Sequence, residues 1–123
     1  MNFISKNIKS KHLYCYFLVN NELKLSSGKV ASQVGHASQL LTEKLINSDI
    51  WDLYNKSSNP KIILKVPNHI VMEEILQKTI EFQKVLVIDK GLTQCLPNTL
   101  TVIGYAPMLK DQVPDCIKCL KLF

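Results

Sequence analysis

Residues 26–41 read SSGKVASQVGHASQLL, and the fold turns on how this stretch is understood. Val30, Val34, Ala37 and Leu41 recur at the spacing of one helical face, and Lys29, Gln33, His36 and Leu40 occupy the stripe beside it. Small polar residues and Gly28 lead into the pattern, which carries a helix to about Asn47. Lys29 falls in the first turn, where the helix dipole favours an acid over a cation. A lysine there is either a surface charge or a cation kept near the helix N-terminus for a purpose. Ala31, Gly35, Ala37 and Ser38 make the helix thin, as close packing on a sheet requires. Gly35 in mid-helix costs about 1 kcal/mol relative to alanine, and close packing is the expected compensation.

Outward from this helix the chain alternates strands and helices. Before it, residues 13–19 (LYCYFLV) are apolar on both faces, as in a strand covered on both sides. After it, residues 48–56 (SDIWDLYNK) form a short helix with Ser48 as cap and Trp51 as packing anchor. KIILKV (61–66) is a second strand, and Asn68 caps a helix over 69–82. KVLVID (84–89) and LTVIGY (100–105) are the third and fourth strands, joined by a turn over 91–97. A final amphipathic helix is expected over much of 108–120. The order β-α-α-β-α-β-β-α defines an α/β protein, a three-layer α/β/α sandwich with a mixed four-stranded sheet. Residues 1–12 form a flexible basic arm, and 13–123 form one domain.

Composition narrows the function. With 46% hydrophobic and 20% charged residues, the 123-residue chain is a globular protein, and its longest apolar runs are strand-sized, too short to cross a bilayer. The first ten residues have no apolar block and no small-residue cleavage site, so the expected compartment is the cytoplasm. A net charge of +5 favours an anionic partner. All 15 basic residues are lysines, so phosphate contacts must come from point charges and backbone amides rather than guanidinium forks. Of the four cysteines, only Cys116 and Cys119 have redox-like or metal-like spacing. No second such pair completes a zinc site, and no metal is expected.

Two loops carry chemistry. In Ser26-Ser27-Gly28-Lys29 the phosphate-loop pattern fails, because Leu23 stands where its first glycine belongs and Val30 follows the lysine. What remains is a lysine beside exposed amides, able to meet an anion or a developing oxyanion. In the second loop Asp89 closes an apolar strand, where ligand-facing residues of open α/β sheets sit, and Gly91 permits a sharp turn. Thr93 and Gln94 follow in the turn, with Thr99 and Thr101 downstream. A carboxylate flanked by hydroxyls can orient water, although Asp and Gly after a strand are also ordinary turn chemistry.

From Tyr16 to Phe123 the chain resembles the type-2 peptidyl-tRNA hydrolase family of archaea and eukaryotes. The resemblance is carried by NELKLSSGKVASQVGHA (21–37), PKIILKVP (60–67) and VLVIDKGLTQCLPNTLTVIGYAP (85–107), closing with LKLF. It implies hydrolysis of the ester joining a peptide to the ribose of its tRNA, with no cofactor, and often a homodimer. Carried over by position, the catalytic set is Lys29, Asp89, Thr93 and Thr101. Asp89 would position or partly deprotonate a water, Lys29 would stabilise the oxyanion, and the threonines would orient both. Lys24, Ser27, Gln33, Lys90, Gln94 and Thr99 are the expected substrate contacts, Gln94 also securing its loop. His36 matches a family histidine and is expected to be packed.

The chain also departs from the family. Asn20 stands for a usual arginine, Ser27 for a lysine, Leu92 for a basic residue, Glu22 for an aspartate and Asn98 for a glycine, while Lys90 replaces an alanine. The chemical set is thus complete and the phosphate-gripping set is thinned. The competing readings are a catalytically weak or inactive RNA- or protein-binding module on the same fold, and a redox or metal protein built on Cys116 and Cys119.

Overall fold

The computed structural model describes residues 12–91 and 98–123. Its centre is β1 (Leu13–Asn20), flanked in the sheet by β2 (Lys61–Val66) in parallel and by β4 (Thr99–Tyr105) in antiparallel pairing. β3 (Lys84–Asp89) pairs antiparallel with β4 and ends the sheet on one side, and β6 (Lys121–Leu122) pairs with β2 and ends it on the other. β5 (Met108–Leu109) pairs with the start of β1. The mixed sheet therefore has six strands, not the expected four. The two additions are only two residues long, too short for an alternating pattern to betray them.

Two apolar cores form on alternate residues of β1. Cys15, Phe17 and Val19 pack with Val30, Ala37 and Leu41 of α1 (Ser27–Leu45) and with Trp51 and Tyr54 of α2 (Asp49–Lys56). Tyr16 and Leu18 pack with Met72 and Ile75 of α3 (His69–Lys78) and with Ile117 of α4 (Asp115–Lys118). Each fully buried Leu, Val or Phe contributes about 1.5–3 kcal/mol by leaving water, so this period-two division is what fixes the register of β1.

The helix starts are set by side chains named in the sequence. The hydroxyl of Ser26 accepts from Lys29 N at 3.2 Å, that of Ser48 from Trp51 N at 3.3 Å, and Asn68 Oδ1 from Val71 N at 3.0 Å. Each cap contributes about 1 kcal/mol. α3 stops at Lys78 rather than reaching Phe82. Thr79 turns its hydroxyl onto Ile75 O at 2.7 Å and shares a 2.8 Å hydrogen bond with the Tyr105 hydroxyl, and the chain leaves the helix there. The expected helix over 108–120 is instead β5, a 3-10 turn at Lys110–Gln112 and the four-residue α4. Gln112 Oε1 accepts from Leu109 N at 2.8 Å, and Pro114, which has no N–H to give a helix interior, becomes the N-cap of α4.

The close approach of helix to sheet falls at Ala37, one of the four small residues named in the sequence, and not at Gly35. Gly35 is exposed, and a Cβ there would meet nothing within 4 Å. The tight contact is at Gly104 of β4, where a Cβ would stand 3.2 Å from Ala37 Cβ and 3.3 Å from the Phe17 ring. Ala37 is fixed to its helix and Phe17 is enclosed, so neither yields easily. Gly35→Ala is expected to raise stability by about 0.5–1 kcal/mol. Gly104→Ala is expected to lower it by about 1–3 kcal/mol. Urea denaturation of both variants checks the opposite signs.

Candidate active site

The first turn of α1 and the last residue of β3 meet. Lys29 Nζ lies 2.8 Å from Asp89 Oδ1, sixty residues away in sequence, with the two side chains only 12% and 6% exposed. The second carboxylate oxygen accepts from Gly91 N at 2.8 Å, which the φ of 77° at Gly91 makes possible. Asp89 O accepts from Asn98 N at 2.7 Å, and Asn98 has φ 64°, a left-handed conformation that asparagine tolerates better than most side chains. The Lys29 ammonium first, and the Gly91 amide next, hold the Asp89 carboxyl below the ordinary aspartate value of 3.8, against the opposing effect of burial. The group is therefore a carboxylate at neutral pH.

Beneath this pair the β3–β4 ladder contains a bulge. Val87 pairs with Val102 and Ile88 with Leu100, leaving Thr101 as the extra residue. Its hydroxyl donates to Val87 O at 3.0 Å and accepts from Gln33 Nε2 at 2.8 Å. Thr101 is 0% and Gln33 2% exposed. Expected to touch water and substrate, these two instead tie α1 to the sheet directly below the Lys29–Asp89 pair. Gln33 leaves the stripe it shares with Lys29, His36 and Leu40 because its amide has a buried partner to satisfy.

Beside the pair runs a groove of about 720 Å³ between α1 and the outer strand β3, lined by Lys29, Ser32, His36, Leu40, Leu86, Ile88, Asp89 and Lys90 among others. Lys90 thus stands where a substrate contact was expected. Thr99 pairs with Asp89 across the ladder and is half-buried. Ser27 lies on the other side of α1, in a second groove with Lys61, Ile63 and Phe123. Lys24 is exposed after the 3-10 turn Asn21–Leu23, with φ 50°, and lines neither groove. Leu92, Thr93 and Gln94 fall outside the described residues, as does nearly all of the basic arm.

His36 is a further correction. It is exposed in the groove, 3.5 Å from the Ser32 hydroxyl, rather than packed. Sequence reasoning overlooked Ser32, Leu86 and Ile88. The first lies three residues after Lys29 and four before His36 on the exposed side of α1, and the other two look like plain strand residues until β3 is known to be the outer strand. Cys15, Cys116 and Cys119 are free thiols, and Cys119 Sγ sits 3.6 Å from Cys116 O. Among the described residues no three His, Cys, Asp or Glu side chains group as metal ligands.

Asn20 and Glu22, two departures noted above, have structural employment away from the groove. Asn20 is buried and its Oδ1 accepts from Glu22 N at 3.2 Å. Glu22 Oε1 meets His69 Nδ1 at 2.8 Å and the His69 amide at 3.3 Å, linking the 3-10 turn to the start of α3. This contact lowers the Glu22 carboxyl below 4.5 and raises the His69 imidazole above 6.5. The carboxylate's contribution is present above its unfolded value and lost as pH falls through the lowered one. The imidazole's is present below its unfolded value and lost as pH rises through the raised one.

In chemical terms the groove mouth offers a fixed, ionised carboxylate and an ammonium with two further donors to give. The sequence model of the family described as "Peptidyl-tRNA hydrolase PTH2" matches residues 13–123, and the chain belongs to that family. Among curated relatives it is similar to the peptidyl-tRNA hydrolase of Sulfurisphaera tokodaii, 34% identical over 85% of this chain and 93% of the relative. The peptidyl-tRNA hydrolase of Saccharolobus solfataricus is 31% identical over 85% and 94%. The mitochondrial peptidyl-tRNA hydrolase 2 of Bos taurus is 30% identical over 86% of this chain and 62% of its own longer length.

The Glu22–His69 contact supplies a prediction. The urea midpoint of the wild type is expected to exceed that of Glu22→Gln most between about pH 4.5 and 6.5, and the two midpoints to converge as pH rises through the raised imidazole value. Parallel midpoint curves across that range would show that the contact contributes nothing to folding.

Proposed function

We propose that this chain hydrolyses the ester of peptidyl-tRNA at the Lys29–Asp89 pair. The carrying observation is the 2.8 Å contact of those two groups at the mouth of the groove. Family membership supplies the reaction class. A carboxylate held at low pKa is a weak base, so Asp89 orients the attacking water more than it strips its proton. Lys29 gives a remaining N–H to the carbonyl oxygen as it gains charge. The bond from the carbonyl carbon to the ribose oxygen then breaks, the ribose oxygen takes one proton of the attacking water, the other passes to solvent, and the peptide leaves as a carboxylate. Thr93 belongs to this machinery by position in the family motif, with Gln94 securing its turn. Thr101 and Gln33 act as positioning residues that hold α1 and β3 in register. Thr99, Lys90, Lys24 and Ser27 contact the tRNA arm.

The same reading takes residues 13–123 as one hydrolase domain preceded by a short basic arm, and the two cores as the faces of a three-layer α/β/α sandwich. It places the enzyme in the cytoplasm, where peptidyl-tRNA arises, with a homodimer as its working form. None of the described helices is long and apolar enough to cross a membrane.

The test is release of N-acetylated amino acid from tRNA. Asp89→Asn and Lys29→Ala are each expected to lower kcat/KM at least about 100-fold. Wild-type rates in both variants would defeat the assignment.

A further inference from the structure

The groove continues past the reactive pair along β3, which among the described residues has a strand neighbour on one side only. Val87 O and Asp89 O turn inward, to Thr101 and to Asn98. Strand alternation therefore directs the N–H and C=O of Leu86 and Ile88 to the open margin. Lys44 Nζ occupies Lys84 O at 3.0 Å, which closes the margin two residues before Leu86. The side chains around this stretch are apolar and uncovered: Leu86 is 42%, Ile88 45% and Leu40 39% exposed. Of the groove-lining residues the lysines, Lys29 and Lys90, stand at the Asp89 end, and Glu43 lies in the lining beyond Leu40, at the end where Lys44 is held on Lys84 O.

The two arms of the substrate have opposite chemistry. A polyphosphate gains nothing from Leu40, Leu86 and Ile88, whereas a peptide can use both the apolar side chains and the open backbone groups. We infer that this groove is the seat of the peptide arm, which adds to the sheet as a strand beside β3. The inference rests on the ester being cleaved at Lys29 and Asp89. That placement fixes direction: the esterified residue lies at the Asp89 end, so the peptide runs parallel to β3. From Asp89 back to Leu86 is about 10 Å, room for about three residues. Backbone pairing makes binding tolerant of sequence, and apolar side chains at the second and third positions from the ester gain contact with Leu86, Ile88 and Leu40.

The experiment compares two substrates on one tRNA, N-acetyl-leucyl-leucyl-phenylalanyl-tRNA and N-acetyl-glycyl-glycyl-phenylalanyl-tRNA, which share the ester being cleaved. The wild type is expected to prefer the leucyl peptide about tenfold in kcat/KM. In Leu86→Thr and Leu40→Gln, chosen because threonine suits a strand and glutamine a helix, the ratio is expected to fall towards one. A wild-type ratio near one, or a tenfold ratio unchanged in both variants, overturns the inference. So does an unchanged ratio accompanied by weaker binding of uncharged tRNA, which makes the groove an RNA seat, or by loss of a dimer in sedimentation, which makes it a contact between copies. Failure to cleave either substrate or N-acetyl-phenylalanyl-tRNA defeats the hydrolase reading itself.

Discussion

A single strand constrains the whole molecule. β1 has neighbours on both edges and an apolar core on both faces, so none of its residues from Cys15 to Asn20 is free to change without moving an adjoining layer. Phe17 on one face and Ala37 of α1 both fill the space a side chain at Gly104 would need, and this contact sets how near α1 lies to the sheet. Because α1 is rigid over its 19 residues, a contact at its middle also aims its first turn. The position of the Lys29 ammonium is thus decided by packing about two helical turns away.

The ion pair is the price of that aim and its reward. An amine in the first turn opposes the dipole, and taking both charges out of water is costly unless each is well satisfied. Asp89 meets this condition with an ammonium on one oxygen and an amide on the other. Among the described residues Lys29 meets it only in part, since one of its three donors is spent on Asp89. The imbalance suits an ester carbonyl, which needs a donor at the moment charge develops on it. The bulge at Thr101 does the complementary work, fastening Gln33 and the strand so that the carboxylate does not drift from its partner.

Much of this architecture was legible in the residues. Short apolar runs marked β1 to β4 and the 3.6-residue spacing marked the long helix, while Ser48 and Asn68 marked two helix starts because an oxygen at the cap has a fixed geometric task. Ser26, read only as part of a loop, turned out to be a third. β5 and β6 escaped notice, since two residues cannot display a period. Small size alone also misled: Gly35 faces open space, while the glycine that matters is in a strand, where only the partner helix reveals it. At the site, Lys29 and Asp89 were found by chemistry and resemblance together. The inward turn of Gln33 and Thr101 was not, because a polar side chain on a helix stripe does not announce which neighbour will accept its hydrogen bond. Nor does a strand announce that it lies outermost, and with that the apolar wall of Leu86 and Ile88 stayed hidden.

An uncovered β-strand rich in valine, leucine and isoleucine is ordinarily a seed for fibrils. Here the four-residue run VLVI is fenced by Lys84 before it and by Asp89 and Lys90 after it. Such gatekeepers stop a templated stack from growing, because each added layer would set like charges over one another. A short guest that ends at the fence meets no such penalty. The enzyme can therefore keep an adhesive margin in a crowded cell: it admits a few residues of another chain and declines to propagate its own.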